Sequence, residues 1–106
     1  MQRIFRLLKT NKHKYVTVIN STIGDKRLSL KARGLLAWIL SHHPTFKINI
    51  QYLQNNCDKD GRDSIKSALE ELQHFGYAEC IQKKTKDGRF YDKDWYFYEL
   101  PKTDFP

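Results

Sequence analysis

Apolar residues recur at helical spacing in the first strongly patterned segment of the chain. They are Ala32, Leu35, Leu36, Ile39 and Leu40. Ser29 is a favourable N-cap and Pro44 follows the pattern, so we predict a helix from Leu30 to His42. Gly34 lies inside this helix at a cost of about 1 kcal/mol relative to alanine, and we therefore expect another element to approach it closely.

A second helical pattern ends at Gly76, a residue type that often terminates helices. Its apolar face is formed by Ile65, Ala68, Leu69, Leu72 and Phe75. Between the two long helices, Asn49 can cap a short helix around Leu53, and residues 58–61 supply a turn. The sequence therefore predicts helix, turn and helix over residues 49–76.

Two further segments have the composition of strands. Residues 15–19 form a β-branched and aromatic run closed by Gly24, which predicts a short strand before the first helix. After Gly76 the helical period stops, and a Lys-Asp-Gly-Arg turn at 86–89 precedes the aromatic run 95–100. Asp-Gly between strand-like runs predicts a β-hairpin, in which alternation buries only every second aromatic side chain.

This order of elements predicts an α+β fold of the winged helix-turn-helix type, with a three-helix core, an N-terminal strand and a C-terminal β-hairpin wing. The length of 106 residues suits one domain with one core. We assign residues 1–13 to a basic N-terminal arm, 14–100 to the winged-helix domain and 101–106 to a tail or linker stub. The aromatic surplus of the last strand is compatible with a homodimer or a larger replication or regulatory complex.

The net charge of +7 favours a polyanionic partner such as nucleic acid. Residues 1–47 carry ten basic side chains and one carboxylate, so the basic charge is concentrated in this half. No apolar run is long enough to span a membrane, and a cytoplasmic location is expected. The two cysteines show no metal-ligand spacing and no catalytic motif is present, so we expect no metal, no cofactor and no enzymatic activity.

In the N-terminal half of the third predicted helix, the residues that lie outside its apolar face are polar. Arg62 can read guanine, and Asp63 can accept from cytosine or favour the helix start electrostatically. The hairpin adds cations that suit phosphate or minor-groove contact, although lysines also occur on ordinary solvated hairpins. The candidate DNA-binding residues are Lys59, Gly61, Arg62, Asp63, Ser64, Lys66, Ser67, Lys83, Lys84, Lys86, Arg89 and Tyr91.

Residues 27–40, residues 61–77 and the Lys-Asp-Gly-Arg wing together resemble the winged-helix domains of phage and plasmid replication proteins, including the N-terminal domains of DnaD-like replisome organisers. Related patterns occur in MarR-like and GntR-like repressors. The resemblance covers residues 15–100 and implies that residues 83–89 form the wing. It also implies that the following residues lie where such domains face DNA: Lys59, Gly61, Arg62, Asp63, Ser64, Lys66 and Ser67. Ala78 departs from the pattern, because a bulky aliphatic residue usually stands there.

Three functions are compatible with these features. The first is sequence-preferring binding of double-stranded DNA in plasmid, phage or mobile-element replication or maintenance. The second is transcriptional regulation by the same DNA contacts. The third is a winged helix used as a protein-interaction module, in which Glu70, Glu71 and Glu79 would mark an acidic partner face.

Overall fold

The computed structural model of the protein describes residues 14–43, 46, 48–57 and 59–102, without the side chains of residues 90–92. In chain order the elements are α1 (Asn20–Ile23), α2 (Leu30–Leu40), α3 (Ile50–Asn56), α4 (Arg62–His74), β1 (Ala78–Lys84) and β2 (Phe90–Phe97). The two strands form an antiparallel hairpin. This arrangement confirms the α+β class. The predicted N-terminal arm, residues 1–13, lies outside the described residues.

The three predicted helices are present, and their starts follow local capping. The side chains of Ser29 and Asn49 accept hydrogen bonds from the third residue after them and cap α2 and α3. α2 ends two residues earlier than predicted, because the His42 ring turns back to the carbonyl oxygens of Trp38 and Ile39, at 3.0 and 3.2 Å. The last turn of the predicted helix is therefore replaced by a side-chain cap.

The predicted strand at residues 15–19 is wrong. This segment belongs to neither strand of the sheet and leads into the single helical turn α1. A β-branched run forms a strand only where a neighbouring strand pairs with its backbone, and such pairing involves only β1 and β2 in the part of the chain that the structure describes. Thr22 in α1 is buried instead, and its hydroxyl donates to the carbonyl oxygen of Glu99.

The end of α4 and the start of the hairpin form one continuous turn. Gly76 has a φ of 87°, and its N–H donates to the Gln73 carbonyl at 3.2 Å. The Tyr77 N–H donates to the Leu72 carbonyl at 2.8 Å, which completes a Schellman motif. The motif reverses the chain direction, so β1 packs back against α4. The predicted termination at Gly76 is thus confirmed.

The hairpin extends further toward its tip than the aromatic pattern indicated. β2 begins at Phe90, because the polar residues 92–94 pair with residues 81–83 of β1. The predicted turn is confirmed: Gly88 has a φ of 88°, and the backbone of Thr85 bonds to that of Arg89 at 2.7 Å. Tyr96 is exposed, whereas Trp95 and Phe97 pack against the core, as strand alternation predicts.

The core consists of two adjoining clusters of apolar side chains. The first joins the N-terminal part of α2 to the end of α4 and the start of β1, through Leu28, Ala32, Leu36, Ala68, Leu72, Tyr77 and Ala78. The second joins α2, α3 and α4 through Ile39, Leu53, Ile65 and Leu69. Trp95 and Phe97 pack against both clusters, so the hairpin covers the helices as one layer.

Tyr77 is the largest fully buried side chain in the described part of the chain, at 1% exposure. Its hydroxyl donates to Asp25 Oδ2 at 2.6 Å, and Asp25 also accepts from Arg27 Nη2 at 2.7 Å. The guanidinium of Arg27 lies 5.0 Å from the ring centre of Phe75. This cluster ties the loop before α2 to the junction between α4 and β1.

Gly34 does not meet another element, contrary to the expectation from its position in a helix. A Cβ atom built at this residue would find no heavy atom within 4 Å outside its own helix backbone and its chain neighbours. Within the described part of the chain, therefore, the position leaves an open space beside α2 rather than a close helix crossing.

The chain beyond β2 remains attached through Lys102. Pro101 is buried, and the Lys102 N–H donates to the Gly76 carbonyl at 2.7 Å. These two residues were assigned to the tail but belong to the packed structure, while residues 103–106 lie outside the described residues. No helix in the described ranges has the length and apolar character needed to cross a membrane.

We expect Asp25 to make the stability of the protein depend on pH in the acid range. The hydrogen bonds from Arg27 and Tyr77 hold the pKa of Asp25 well below its usual range. Because the folded-state pKa is depressed, the stabilisation is complete above the unfolded pKa of about 3.9 and is lost as pH falls through the folded-state pKa. Urea unfolding of the parent and of Asp25→Asn should show a difference in unfolding free energy that shrinks below about pH 4. A difference that is independent of pH would contradict this assignment.

We also expect Gly34→Ala to stabilise the folded chain by about 0.5 to 1 kcal/mol. The added methyl group meets open space, and alanine loses less backbone entropy than glycine when a helix forms. Urea denaturation of dilute protein measures the change. Gly88→Ala is the control with the opposite sign, because a φ of 88° strains any residue with a Cβ atom. Destabilisation by Gly34→Ala would show that the space beside α2 is filled.

Candidate nucleic-acid interface

An aromatic cluster joins α3 to the C-terminal end of α2. Trp38 stacks on Tyr52 with ring centres 5.8 Å apart, and Phe46 lies 5.0 Å from Tyr52. The Nε2 atom of His42 is 2.9 Å from the Tyr52 hydroxyl, while its Nδ1 faces the carbonyls at the end of α2. His42 therefore has a structural role, and the described residues contain no cluster of three potential metal ligands.

The start of α2 is fixed by a carboxylate from α4. Glu71 accepts from the backbone N–H of Ser29 and from its hydroxyl, both at 2.8 Å. These two hydrogen bonds lower the pKa of Glu71, so the carboxylate stays ionised at neutral pH. Glu71 therefore ties the start of α2 to the C-terminal half of α4, and the buried side of α4 carries Ile65 and Leu69.

The exposed side of α4 carries most of the predicted helix residues. Arg62, Asp63, Lys66 and Ser67 are exposed in the first half of the helix, and Lys59 is exposed in the turn before it. Arg62 and Lys66 are four residues apart and therefore lie on the same side of the helix, one turn from each other. The structure thus groups two cations at the start of α4, as the sequence predicted.

Ser64 is the exception among the predicted helix residues. It is partly buried and lines a groove between α2 and α4, rather than the exposed side shared by Arg62 and Lys66. An α-helix turns by about 100° per residue, so Ser64 and Ala68 lie on the side of α4 toward α2, away from Arg62 and Lys66. Ser64 was counted as DNA-facing because helical periodicity alone does not show where α2 lies.

α4 begins without the side-chain cap that α2 and α3 have. Gly61 occupies the N-cap position, and none of the described side chains caps the first turn. A Cβ atom at Gly61 would meet no described residue within 4 Å, so this part of the chain leaves the helix start open. Backbone N–H groups at an open helix start are suited to bind phosphate oxygens.

The base of the hairpin packs against the helices. β1 contacts α4, and β2 contacts α2. Trp95, the cross-strand partner of Cys80, packs against the cluster that contains Ile65 and Leu69. The turn at Gly76 thus brings both strands of the hairpin onto the helical layer.

The cations of the hairpin differ in their surroundings. Lys83 forms an ion pair with Asp94 at 3.0 Å, and Arg89 forms one with Asp87 at 3.2 Å. Lys84 and Lys86 are exposed. Tyr91 lies in β2, but its side chain is outside the described residues. Residues 83–94 contain five cations and three carboxylates, so the hairpin end keeps a positive balance.

Sequence reasoning missed Lys93 as a hairpin cation. Lys93 is the cross-strand partner of Gln82 and lies two residues before Trp95 in β2. Because side chains two residues apart in a strand are on the same face, Lys93 shares the face of Trp95, which packs against the helices. Lys83 lies on the opposite face, beside Asp94. If the predicted strand had begun at Phe90, the alternation of side chains counted back from Trp95 would have identified Lys93 as a cation of the hairpin.

Two of the three carboxylates assigned to an acidic partner face are engaged within the chain. Glu71 binds Ser29, as described above. Glu79 accepts from the Tyr98 hydroxyl at 3.0 Å and from Lys102 Nζ at 2.5 Å, and these contacts lower its pKa. Glu70 alone of the three is exposed. The structure therefore gives little support to a partner surface built from these residues.

Comparison of the chain with protein-family models, with curated proteins and with solved structures gives no match. The function proposed below accordingly depends on the residues and geometry of this chain.

Proposed function

We propose that the protein binds double-stranded DNA with sequence preference, and that α4 enters the major groove while the hairpin contacts the backbone as a wing. The main support for this proposal is the combination of two features of α4. Arg62 and Lys66 lie on its exposed side, and the helix starts at Gly61 without a side-chain cap. Guanidinium and ammonium groups contact base edges and phosphates, and the helix start adds N–H donors for a phosphate. The role is binding, without catalytic chemistry.

The hairpin supports this proposal in two ways. Its end carries exposed cations such as Lys86, which would meet the DNA backbone beside the groove. The internal pairs of Lys83 and Arg89 are exposed at their cationic ends, so both side chains can exchange a carboxylate for a phosphate. The net charge of +7 adds long-range attraction for DNA.

Within this proposal we place the protein in replication or maintenance of a plasmid, phage or other mobile element, following the resemblance of residues 15–100. A transcriptional regulator would use the same contacts. Selection of bound sequences from a randomised duplex pool, followed by their location at an origin or at a promoter, separates the two roles.

We expect Arg62→Ala to weaken DNA binding by about 1 to 3 kcal/mol and to relax sequence preference, because a base-reading arginine is lost. Lys66→Ala should weaken binding as well. Fluorescence anisotropy with the randomised duplex pool and with a selected sequence measures both effects. Lys26→Ala removes the same charge from the loop next to Arg27, at the far end of α4, and should leave affinity nearly unchanged. Equal affinities for Arg62→Ala and the parent would overturn the major-groove assignment.

A wing contact predicts a different signature for Lys86→Ala. A lysine that neutralises one phosphate contributes about one unit to the slope of log affinity against log salt concentration. We expect Lys86→Ala to reduce that slope by about one unit while the preference among sequences stays that of the parent. Titrations at four or more salt concentrations determine the slope. An unchanged slope would remove the hairpin tip from the interface, without affecting the assignment of α4.

A further inference from the structure

A groove of about 300 Å³ lies between α2, the turn before α4 and the first half of α4. Its apolar lining includes Leu35, Trp38, Ile65 and Ala68. Its volume is at the small end of the range for ligand pockets, which suits one or two inserted side chains better than a cofactor. The groove lies on the α2 side of α4, whereas Arg62 and Lys66 lie on its solvent side.

Leu30 stands at the mouth of this groove and is 81% exposed. Gly34 lies one helical turn further along the same side of α2 and leaves the groove open above the helix backbone. The same patch therefore presents a projecting leucine and a recess that has room for one. Such a patch is self-complementary, which is the property that a twofold interface between identical chains requires.

The charged residues at the groove are also self-complementary. Lys31 lines it from α2 and Asp60 lines it from the turn before α4. Two copies related by a twofold axis would bring Lys31 of each copy toward Asp60 of the other. This match of opposite charges favours a second copy over a partner of uniform charge.

We propose that this groove is a self-association surface at which two copies pair about a twofold axis. Each copy inserts Leu30 into the groove of the other, over Gly34, and Lys31 of each faces Asp60 of the other. The interface explains why a helix interior holds a glycine that no other part of the described chain approaches. It leaves Arg62 and Lys66 accessible and does not depend on the proposed DNA binding.

The first test is sedimentation equilibrium of the protein without DNA over a wide range of concentrations. The parent should show a monomer and dimer equilibrium, and Leu30→Asn should weaken it by about tenfold or more, as expected for a central apolar contact. Ile81→Asn is the matched control, because Ile81 is an exposed apolar residue of β1 at 45% exposure and outside the groove. A parent that remains monomeric at every concentration would overturn the proposal.

Charge exchange tests the pairing itself. Lys31→Glu and Asp60→Lys should each weaken self-association, because each places like charges opposite one another across the interface. Mixing the two variants should restore dimers, since both contacts in the mixed dimer then join opposite charges. Sedimentation of the mixture, with one variant fluorescently labelled, measures the mixed species, and circular dichroism checks that each variant is folded. Absence of a mixed dimer between folded variants would refute this interface.

Because these measurements contain no DNA, their outcome is separate from that of the anisotropy titrations. A protein that dimerises but does not bind DNA would retain this interface and lose the proposed function. A protein that binds DNA as a monomer at all concentrations would do the reverse.

Discussion

The fold depends on the burial of the Tyr77 phenol beside an acceptor that comes from a distant part of the chain. A buried hydroxyl is destabilising unless it is hydrogen-bonded, and Asp25 supplies the acceptor at 2.6 Å. Burial and the neighbouring carboxylate raise the pKa of Tyr77, so the phenol stays protonated and remains a donor. Arg27 balances the charge of Asp25 and reaches Phe75, so one cluster fixes the loop before α2 at the end of α4.

This junction determines where the candidate interface lies. Tyr77 is the first residue after the glycine turn, and its backbone also accepts from the Tyr98 N–H at 2.9 Å. The hairpin is therefore held at its base by a residue that also takes part in the turn after α4. With the base fixed, Trp95 and Phe97 pack against both core clusters. The exposed cations of α4 and of the hairpin therefore belong to elements that are joined through this packing.

The distribution of capping distinguishes the start of α4 from the starts of α2 and α3. Ser29 and Asn49 close the starts of α2 and α3, and Glu71 of α4 adds two further bonds at Ser29. α4 provides this carboxylate to its neighbour but begins at an uncapped glycine. Among the described residues, no side chain therefore competes with an outside anion for the N–H groups at the start of α4.

Local features could be predicted from sequence because each depends on neighbours within a few residues: the caps at Ser29 and Asn49, the glycine turns at Gly76 and Gly88, and the exposed cations of α4. Features that depend on distant partners could not be predicted in this way. Residues 15–19 pair with neither strand of the described sheet, and Ser64 lies toward α2. Likewise, Glu71 and Glu79 were engaged internally, and Asp25 became the acceptor for Tyr77, since burial and long-range hydrogen bonds arise only when separate segments pack together.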